Sequence, residues 1–305
     1  MIERSSYQVT YTRIFAVNNN LVSAVRPVQW VKNVLVFVPL LLGHRFTDRN
    51  ALLQSGLTFF ALCLASSSAY LCNDMLDAEA DRQHPAKKNR PFARRAISIP
   101  VGVALTLTLA ISAIAAGFFV NPPVSLLLAG YVIATLIYSI WLKKALIIDI
   151  LALASFYVFR VFLGSAATGI RISSSTALFS LFIFTGLATL KRYAEIYNRT
   201  ADSPGNRRAY KIDDGPTLLC FGTGSFIGAI IALGLYLGSP DVSRLYRMPD
   251  LLWLLCPVLL GWSGRLWILA QRGELHDEDP VAFALRDRWS HGAGLIAVVI
   301  FLSAL

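Results

Sequence analysis

A chain of 305 residues that is 55% hydrophobic and only 15% charged, with a mean hydropathy of +0.57, is too apolar for a soluble domain and reads as an all-α, polytopic membrane protein. The net charge of +10 would suit nucleic acid, but the Lys and Arg cluster between apolar runs, which excludes a nucleic-acid groove as their reason. Cys63, Cys72, Cys220 and Cys256 lie in or at the ends of apolar runs without metal-ligand spacing and read as small core residues.

About nine runs approach the length of about 20 residues that a bilayer core demands of a helix. They cover residues 27–43, 51–72, 98–119, 124–142, 146–169, 175–191, 217–238, 250–270 and 289–305. Residues 1–22 form an N-terminal segment ahead of them. That segment has Arg4 and Arg13 but no compact apolar stretch before a small-residue cleavage site, so no cleaved signal peptide is expected. No Gly/Ser-rich or Pro-rich linker divides the remainder, and residues 23–305 read as one transmembrane domain. With nine spans, the N-terminal segment and the even-numbered connections share one side. Counting Arg26 and the span-end residues Lys32, Lys191 and Arg265 with them, they hold 22 of the 28 Lys and Arg, against 5 on the other side and Arg160 within a span. The positive-inside rule then places the richer side in the cytoplasm, as in an inner-membrane protein.

At the entry to the first run, Arg26-Pro27-Val28-Gln29-Trp30-Val31-Lys32-Asn33 would serve as a headgroup anchor. Lys32 and Asn33 nevertheless sit just inside the apolar boundary, where they could face a cavity.

The second run leads into Asn73-Asp74-Met75-Leu76-Asp77-Ala78-Glu79-Ala80-Asp81-Arg82. At about 100° per residue, Asp74, Asp77 and Asp81 fall within an arc of roughly 60°, with Glu79 on the opposite side. Three like charges on one face repel and need a partner. A hard divalent cation such as Mg2+ is suitable, because it prefers carboxylate oxygens and commonly completes its shell with substrate phosphates. Behind this face runs Gln83-His84-Pro85-Ala86-Lys87-Lys88-Asn89-Arg90-Pro91, a basic loop between two prolines. Its cations would stabilise charge building on a departing diphosphate. Asn73 could orient a carboxylate or ligate through its amide oxygen; His84 is as readily a turn residue as a substrate contact.

Asp149 and Arg160 lie on one stripe of the fifth run, roughly 16 Å apart along the axis. An ionisable group inside a span is expensive and marks a functional site by default. Arg160 suits an anionic headgroup or phosphate, whereas Asp149, with Lys143 and Lys144 nearby, could form a structural ion pair. Lys191-Arg192-Tyr193-Ala194-Glu195 ends the sixth run. Lys before Glu at this spacing is the weaker order for simple helix stabilisation, which favours a role toward a ligand: Lys191 on a phosphate, Glu195 on a metal. Ala284-Leu285-Arg286-Asp287-Arg288 reads as a helix start with salt bridges.

The entry motif, together with Asn73-Asp74-x-x-Asp77-x-x-x-Asp81-Arg82-x-His84-Pro85-x-Lys87-x-x-Arg90-Pro91, resembles the UbiA-type intramembrane transferase superfamily. Within it the pattern is most similar to the decaprenyl-phosphate phosphoribosyltransferase branch, as are Lys191 to Glu195 and Leu285 to Arg288. The resemblance implies nine helices around a cavity open to the cytoplasm and to lipid. It also implies Mg2+ and a donor diphosphate on Asp74, Asp77 and Asp81, with Asn73 beside them. Aromatic prenyltransferases of the superfamily usually carry a second D-x-x-x-D motif after the sixth span, where this chain has Lys191 to Glu195. The expected reaction is therefore Mg2+-dependent transfer of a phosphoribosyl group to a polyprenyl phosphate lipid. Lys32, Asn33, Arg82, Lys87, Arg90, Arg160, Lys191 and Glu195 are the expected substrate contacts. The alternatives are transfer of a polyprenyl group to an aromatic acceptor and, less in keeping with charge gathered at one end, a transporter without chemistry.

Overall fold

The computed structural model describes residues 20–83, 87–197, 209–275 and 280–305, and these are helical with no strand among them. His84 and most of the N-terminal segment lie outside the described residues. In chain order come α1 (Asn20–Val25), a 3-10 helix (Pro27–Phe37), α2 (Val38–Leu42), α3 (Arg49–Gln83), α4 (Ile99–Val120), α5 (Pro122–Ile140) and α6 (Ile148–Thr168). Then follow α7 (Ser174–Tyr197), α8 (Gly215–Leu237), α9 (Pro240–Leu245), α10 (Leu255–Gln271), α11 (Pro280–Ala284) and α12 (Arg288–Ala304). Seven helical segments are long and apolar enough to cross a membrane, and two shorter apolar ones, Pro27–Leu42 and Arg288–Ala304, fall on the first and last runs of the sequence. The protein is an integral membrane protein. Large apolar side chains such as Phe119, Leu126, Ile111 and Leu295 stand exposed on its outside, as a lipid solvent allows.

Local chemistry sets the joints. Asn121 caps α5 by accepting from Val124 N at 2.9 Å, and its amide donates to Ala166 O at 3.0 Å, tying this turn to the end of α6. Pro122 and Pro123 occupy the first positions of α5, where a missing N–H costs nothing. Gly169, at φ 72°, ends α6 in the left-handed conformation. The first apolar run departs from an α-helix. Pro39 has no N–H and crowds the carbonyl four residues back, and the 11 residues from Pro27 wind as a 3-10 helix. At about 2 Å of rise per residue that winding carries a short run further across a membrane than an α-helix would.

One core joins the first segment to α3, α4, α5 and α6, through Val36, Ala61, Leu62, Ala65, Ala113, Leu128 and Leu163. Its small residues let helix backbones approach closely. The closest approach is at Gly164, where a Cβ would meet the Val36 carbonyl oxygen at 2.0 Å. A second core joins α6, α7, α8 and α10 around Leu190, Leu218, Phe226 and Trp267. Gly222 makes room for Trp267 there, since a Cβ would lie 2.1 Å from the indole. Between these two halves, at the end of the bundle where α3 and α7 carry their charged residues, lies the cavity described next.

Candidate active site

α3 continues without a break from its apolar stretch through the acidic motif to Gln83, so the motif keeps helical spacing and its acids share a face. Asp77 and Asp81 line a cavity of about 300 Å³, together with Asn73 and Tyr70 one and two turns further along the same helix. Asp74 lies behind them, 2% exposed. Arg26 Nη2 donates to both of its oxygens at 2.7 Å, and Arg90 Nη1 approaches Asp74 Oδ1 at 3.3 Å and Asp81 Oδ2 at 2.7 Å. Lys143 Nζ donates to Asp77 Oδ1 at 2.7 Å and to Asn73 Oδ1 at 3.2 Å. The acidic face is thus met by cations from three other parts of the chain: the residue before the 3-10 helix, the basic loop after α3, and the turn between α5 and α6.

Arg26 reaches Asp74 from a left-handed backbone, φ 56°, at the turn between α1 and the 3-10 helix. That turn is tied to α3 by Ser67, whose hydroxyl donates to Val25 O and accepts from Trp30 Nε1, each at 3.0 Å. Arg26 and Lys143 are therefore residues of the site, which their sequence context, an anchor motif and a short basic turn, did not single out.

The basic loop, the first segment and α7 contribute Lys87, Arg90, Lys32 and Lys191 to the cavity wall, and α6 contributes Arg160. With Arg26 and Lys143, seven cations among the described residues line it, beside the carboxylates of Asp77 and Asp81. Five aromatic rings fill the spaces between them: Tyr70, Tyr131, Tyr138, Phe156 and Tyr157. A sequence signal existed for part of this wall. Tyr131, Thr135, Tyr138 and Ser139 recur at i, i+4, i+7 and i+8, a polar stripe on an otherwise apolar helix.

Three expected contacts stand elsewhere. Arg82 turns to the flank of α3, pairing with Glu79 and donating to Ala93 O at 2.9 Å. One residue past Asp81 is about 100° of rotation, which carries Arg82 off the acidic face. Glu195 takes two hydrogen bonds from Arg192 Nη1, at 2.9 and 2.8 Å, and does not line the cavity. Asn33 is fully buried behind the wall, accepting from Arg160 Nε at 2.9 Å and donating to Cys63 Sγ at 3.3 Å. Asp149 does form a structural ion pair, but with Arg192, at 2.6 and 3.0 Å, rather than with Lys143 or Lys144; Tyr138 donates to it at 2.9 Å. Arg192 spans Asp149 and Glu195, and Lys191, its chain neighbour, is left on the cavity side.

The donor set fits a hard cation in part. Among the described residues no three acid, His or Cys side chains converge into a complete metal cage. The oxygens of Asp77, Asp81 and Asn73 would supply one side of a coordination shell and leave the other to a ligand, the habit of Mg2+ with phosphates.

Residues 35–289 match the model of the UbiA prenyltransferase family. The protein y4nM of Sinorhizobium fredii is 34% identical over 288 residues, which take in 93% of this chain but 55% of that protein, so the chain spans about half the length of this relative. The decaprenyl-phosphate phosphoribosyltransferase of Mycobacterium tuberculosis is 30% identical over 225 residues, 72% of this chain and 74% of that enzyme. The solved structure of a UbiA homolog from Archaeoglobus fulgidus bound to GPP and Mg2+ superposes with a TM-score of 0.71 at 14% identity, covering 93% of this chain and 97% of that one. With the family model covering most of the chain and the same fold in a solved homolog, the chain belongs to the UbiA prenyltransferase family.

Proposed function

We propose that the protein transfers a phosphoribosyl group from 5-phosphoribosyl 1-diphosphate to a polyprenyl phosphate, at a site facing the cytoplasm. One observation carries this reading above the alternative: among the described residues, seven cations and two carboxylates line a single cavity. A prenyl diphosphate with an aromatic acceptor brings one diphosphate. A phosphoribosyl donor with a lipid phosphate brings a diphosphate and two further phosphates, and each needs charge-assisted hydrogen bonds where water is scarce. The similarity to the mycobacterial phosphoribosyltransferase supports the same choice.

In this reading Asp77 and Asp81, backed by Asp74, would hold Mg2+ together with the donor's diphosphate. Bound there, the metal neutralises charge as the leaving group departs. Lys87, Arg90, Lys143 and Lys191 surround the same end and donate hydrogen bonds to the departing oxygens. A lipid phosphate oxygen forms a bond to the anomeric carbon as that carbon's bond to the diphosphate breaks, and diphosphate leaves with both electrons. The acceptor is already an anion, so the site needs no strong base. Tyr70 and Tyr157 keep the cavity wall free of water that would compete for the cation-like carbon.

The protein in lipid nanodiscs, given Mg2+, ribose-labelled 5-phosphoribosyl 1-diphosphate and decaprenyl phosphate, is expected to release diphosphate and form a labelled lipid. Turnover of a polyprenyl diphosphate with an aromatic acceptor, and none of the ribosyl donor, would overturn the reading in favour of the prenyl alternative. Chelation of Mg2+ is expected to abolish the reaction, and Asp77→Asn to lower it at least a hundredfold.

A further inference from the structure

We propose that Tyr210 is a positioning residue for the acidic face: through a strained turn at Ile147 it holds Lys143 against Asp77 and Asn73, although it stands outside the cavity wall.

Lys143 sits in a short connection that is pinned twice. At its base, Tyr138 of α5 donates to Asp149 of α6 at 2.9 Å, and Arg192 of α7 holds the same carboxylate at 2.6 Å. At its tip, Lys143 Nζ reaches α3, 2.7 Å from Asp77 Oδ1 and 3.2 Å from Asn73 Oδ1. Leu142–Lys144 wind as a single 3-10 turn, closed by bonds from Lys144 N to Trp141 O at 3.1 Å and from Ala145 N to Leu142 O at 3.0 Å. Only Ala145, Leu146 and Ile147 are left to fit that turn to the start of α6.

The misfit is taken up at Ile147, whose backbone lies at φ 63°, ψ −43°. Ile148 N donates to Leu146 O at 2.7 Å, which closes a γ-turn of the positive-φ form, the rare and strained one. A β-branched residue is the least suited to such a backbone. Ile147 is also the N-cap of α6, a position that Ser, Asp and Asn prefer, and its side chain caps nothing. Nor do its neighbours impose the turn by packing, since Leu146 and Ile148 are about half exposed. Strain of this kind persists only where the surroundings over-determine it.

Tyr210 supplies that restraint. Its hydroxyl accepts from Ile147 N at 2.9 Å across 63 residues of sequence, and the side chain is 3% exposed. The ring packs in the second core with Ile150 of α6 and Leu190 of α7, so a rigid wall presents the hydroxyl. One such hydrogen bond and the strain of one such residue are of the same order, so losing the bond tips the turn toward negative φ. Ala145 O accepts from Asp149 N at 3.1 Å around the strained residue. A change in φ at Ile147 therefore swings Ala145 and the 3-10 turn relative to α6, and draws Lys143 off Asp77.

Two readouts test this, on full-length protein in nanodiscs. The first is acetylation of lysines by acetic anhydride, read by peptide mass spectrometry, with the exposed Lys144 as internal reference. Lys143, paired and buried, is expected to be protected in wild type, and its labelling relative to Lys144 should rise about fivefold or more in Tyr210→Phe. Ile147→Gly removes the cost of positive φ, so the double variant Tyr210→Phe, Ile147→Gly should be protected again. Labelling unchanged in Tyr210→Phe, or as high in the double variant as in the single, overturns the proposal. Should Tyr210→Phe fail to fold, Ile147→Pro makes the comparison from the other side. It has no N–H and a φ fixed at about −65°, so Lys143 should become reactive with Tyr210 in place, and continued protection would overturn the proposal. The second readout is transfer, and it rests on the phosphoribosyl-transfer reading. Tyr210→Phe is expected to lower kcat about tenfold with little change in KM for the donor, and Ile147→Gly to restore most of the loss. In a Lys143→Met background the same replacement should cost nothing further, because Tyr210 acts through Lys143; an equal loss with and without Lys143 overturns the proposal. Failure of wild type to form any lipid-linked ribose would strike the reaction assigned above, while the labelling still decides the role of Tyr210.

Discussion

Lys143 donates to Asp77 at 2.7 Å across 66 residues of sequence, and the pair joins the turn after α5 to the acidic face of α3. The Lys143 side chain is 8% exposed, and its ammonium also holds Asn73 at 3.2 Å. When a diphosphate occupies the acidic end, the same ammonium is within reach of its oxygens. Lys143→Met is therefore expected to lower kcat for transfer by about a hundredfold, with Lys143→Arg retaining part of the rate. Rates of labelled-lipid formation check this; a Lys143→Met enzyme at wild-type speed would remove Lys143 from the site.

Arg192 lies 1% exposed between Asp149 and Glu195, and with Tyr138 it links α5, α6 and α7. Breaking a buried pair by removing one partner leaves an uncompensated charge. Asp149→Asn is expected to cost about 3 kcal/mol of stability, read as a lower unfolding midpoint in detergent. Replacing Asp149 and Arg192 together by Leu and Met should cost less than the sum of the single replacements, because neither charge is then stranded.

How much of this was legible in the sequence follows from the range of each interaction. The apolar runs, the break at Asn121-Pro122-Pro123 and the face shared by Asp74, Asp77 and Asp81 are set within a few turns of one helix. Composition and spacing expose such features. The partners of those acids, Arg26 and Lys143, come from 48 and 66 residues away, and nothing in their local sequence ties either to the acidic face. Glu195 shows the opposite hazard. Its spacing from Lys191 invited a ligand role, yet Arg192 donates to it at 2.9 and 2.8 Å, because the rotation between adjacent residues sends Lys191 and Arg192 to different sides of α7. The 3-10 winding of the first run was equally hidden, since hydropathy reports length in residues and not rise per residue.

Gly164 packs against the first segment so closely that a methyl group has nowhere to go. Its Cβ would lie 2.0 Å from Val36 O, 2.8 Å from Val36 C and 3.1 Å from Val36 Cα, all backbone atoms that no side-chain rotation can move. Gly164→Ala is expected to cost at least 1–3 kcal/mol, the range of overpacked cores, and to shift Lys32 and Asn33 with the segment that carries them. Gly130 in α5 has no atom within 4 Å of such a Cβ, so Gly130→Ala should be neutral or stabilising by up to about 1 kcal/mol. Unfolding midpoints of the two variants, measured side by side, decide this; equal effects would contradict the packing described.

Asp287 ties the start of α12 to α10. Its carboxylate accepts from Arg265 at 2.6 and 2.9 Å and from Ser290 N and Oγ at 2.8 Å. Partial burial pushes its pKa up, but the hydrogen bonds from Arg265 and Ser290 outweigh it and hold the carboxyl below its ordinary range. A carboxyl with a lower pKa folded than unfolded binds protons more readily in the unfolded chain. Its stabilisation is therefore fully present above the unfolded value of about 4 and is lost as pH falls through the folded value. Asp287→Asn keeps the cap but not the charge. It should unfold at a lower temperature than wild type at neutral pH, and the gap should narrow as the pH is taken below about 4. A gap that stays constant through that range would show that the Arg265 pair contributes nothing that depends on ionisation.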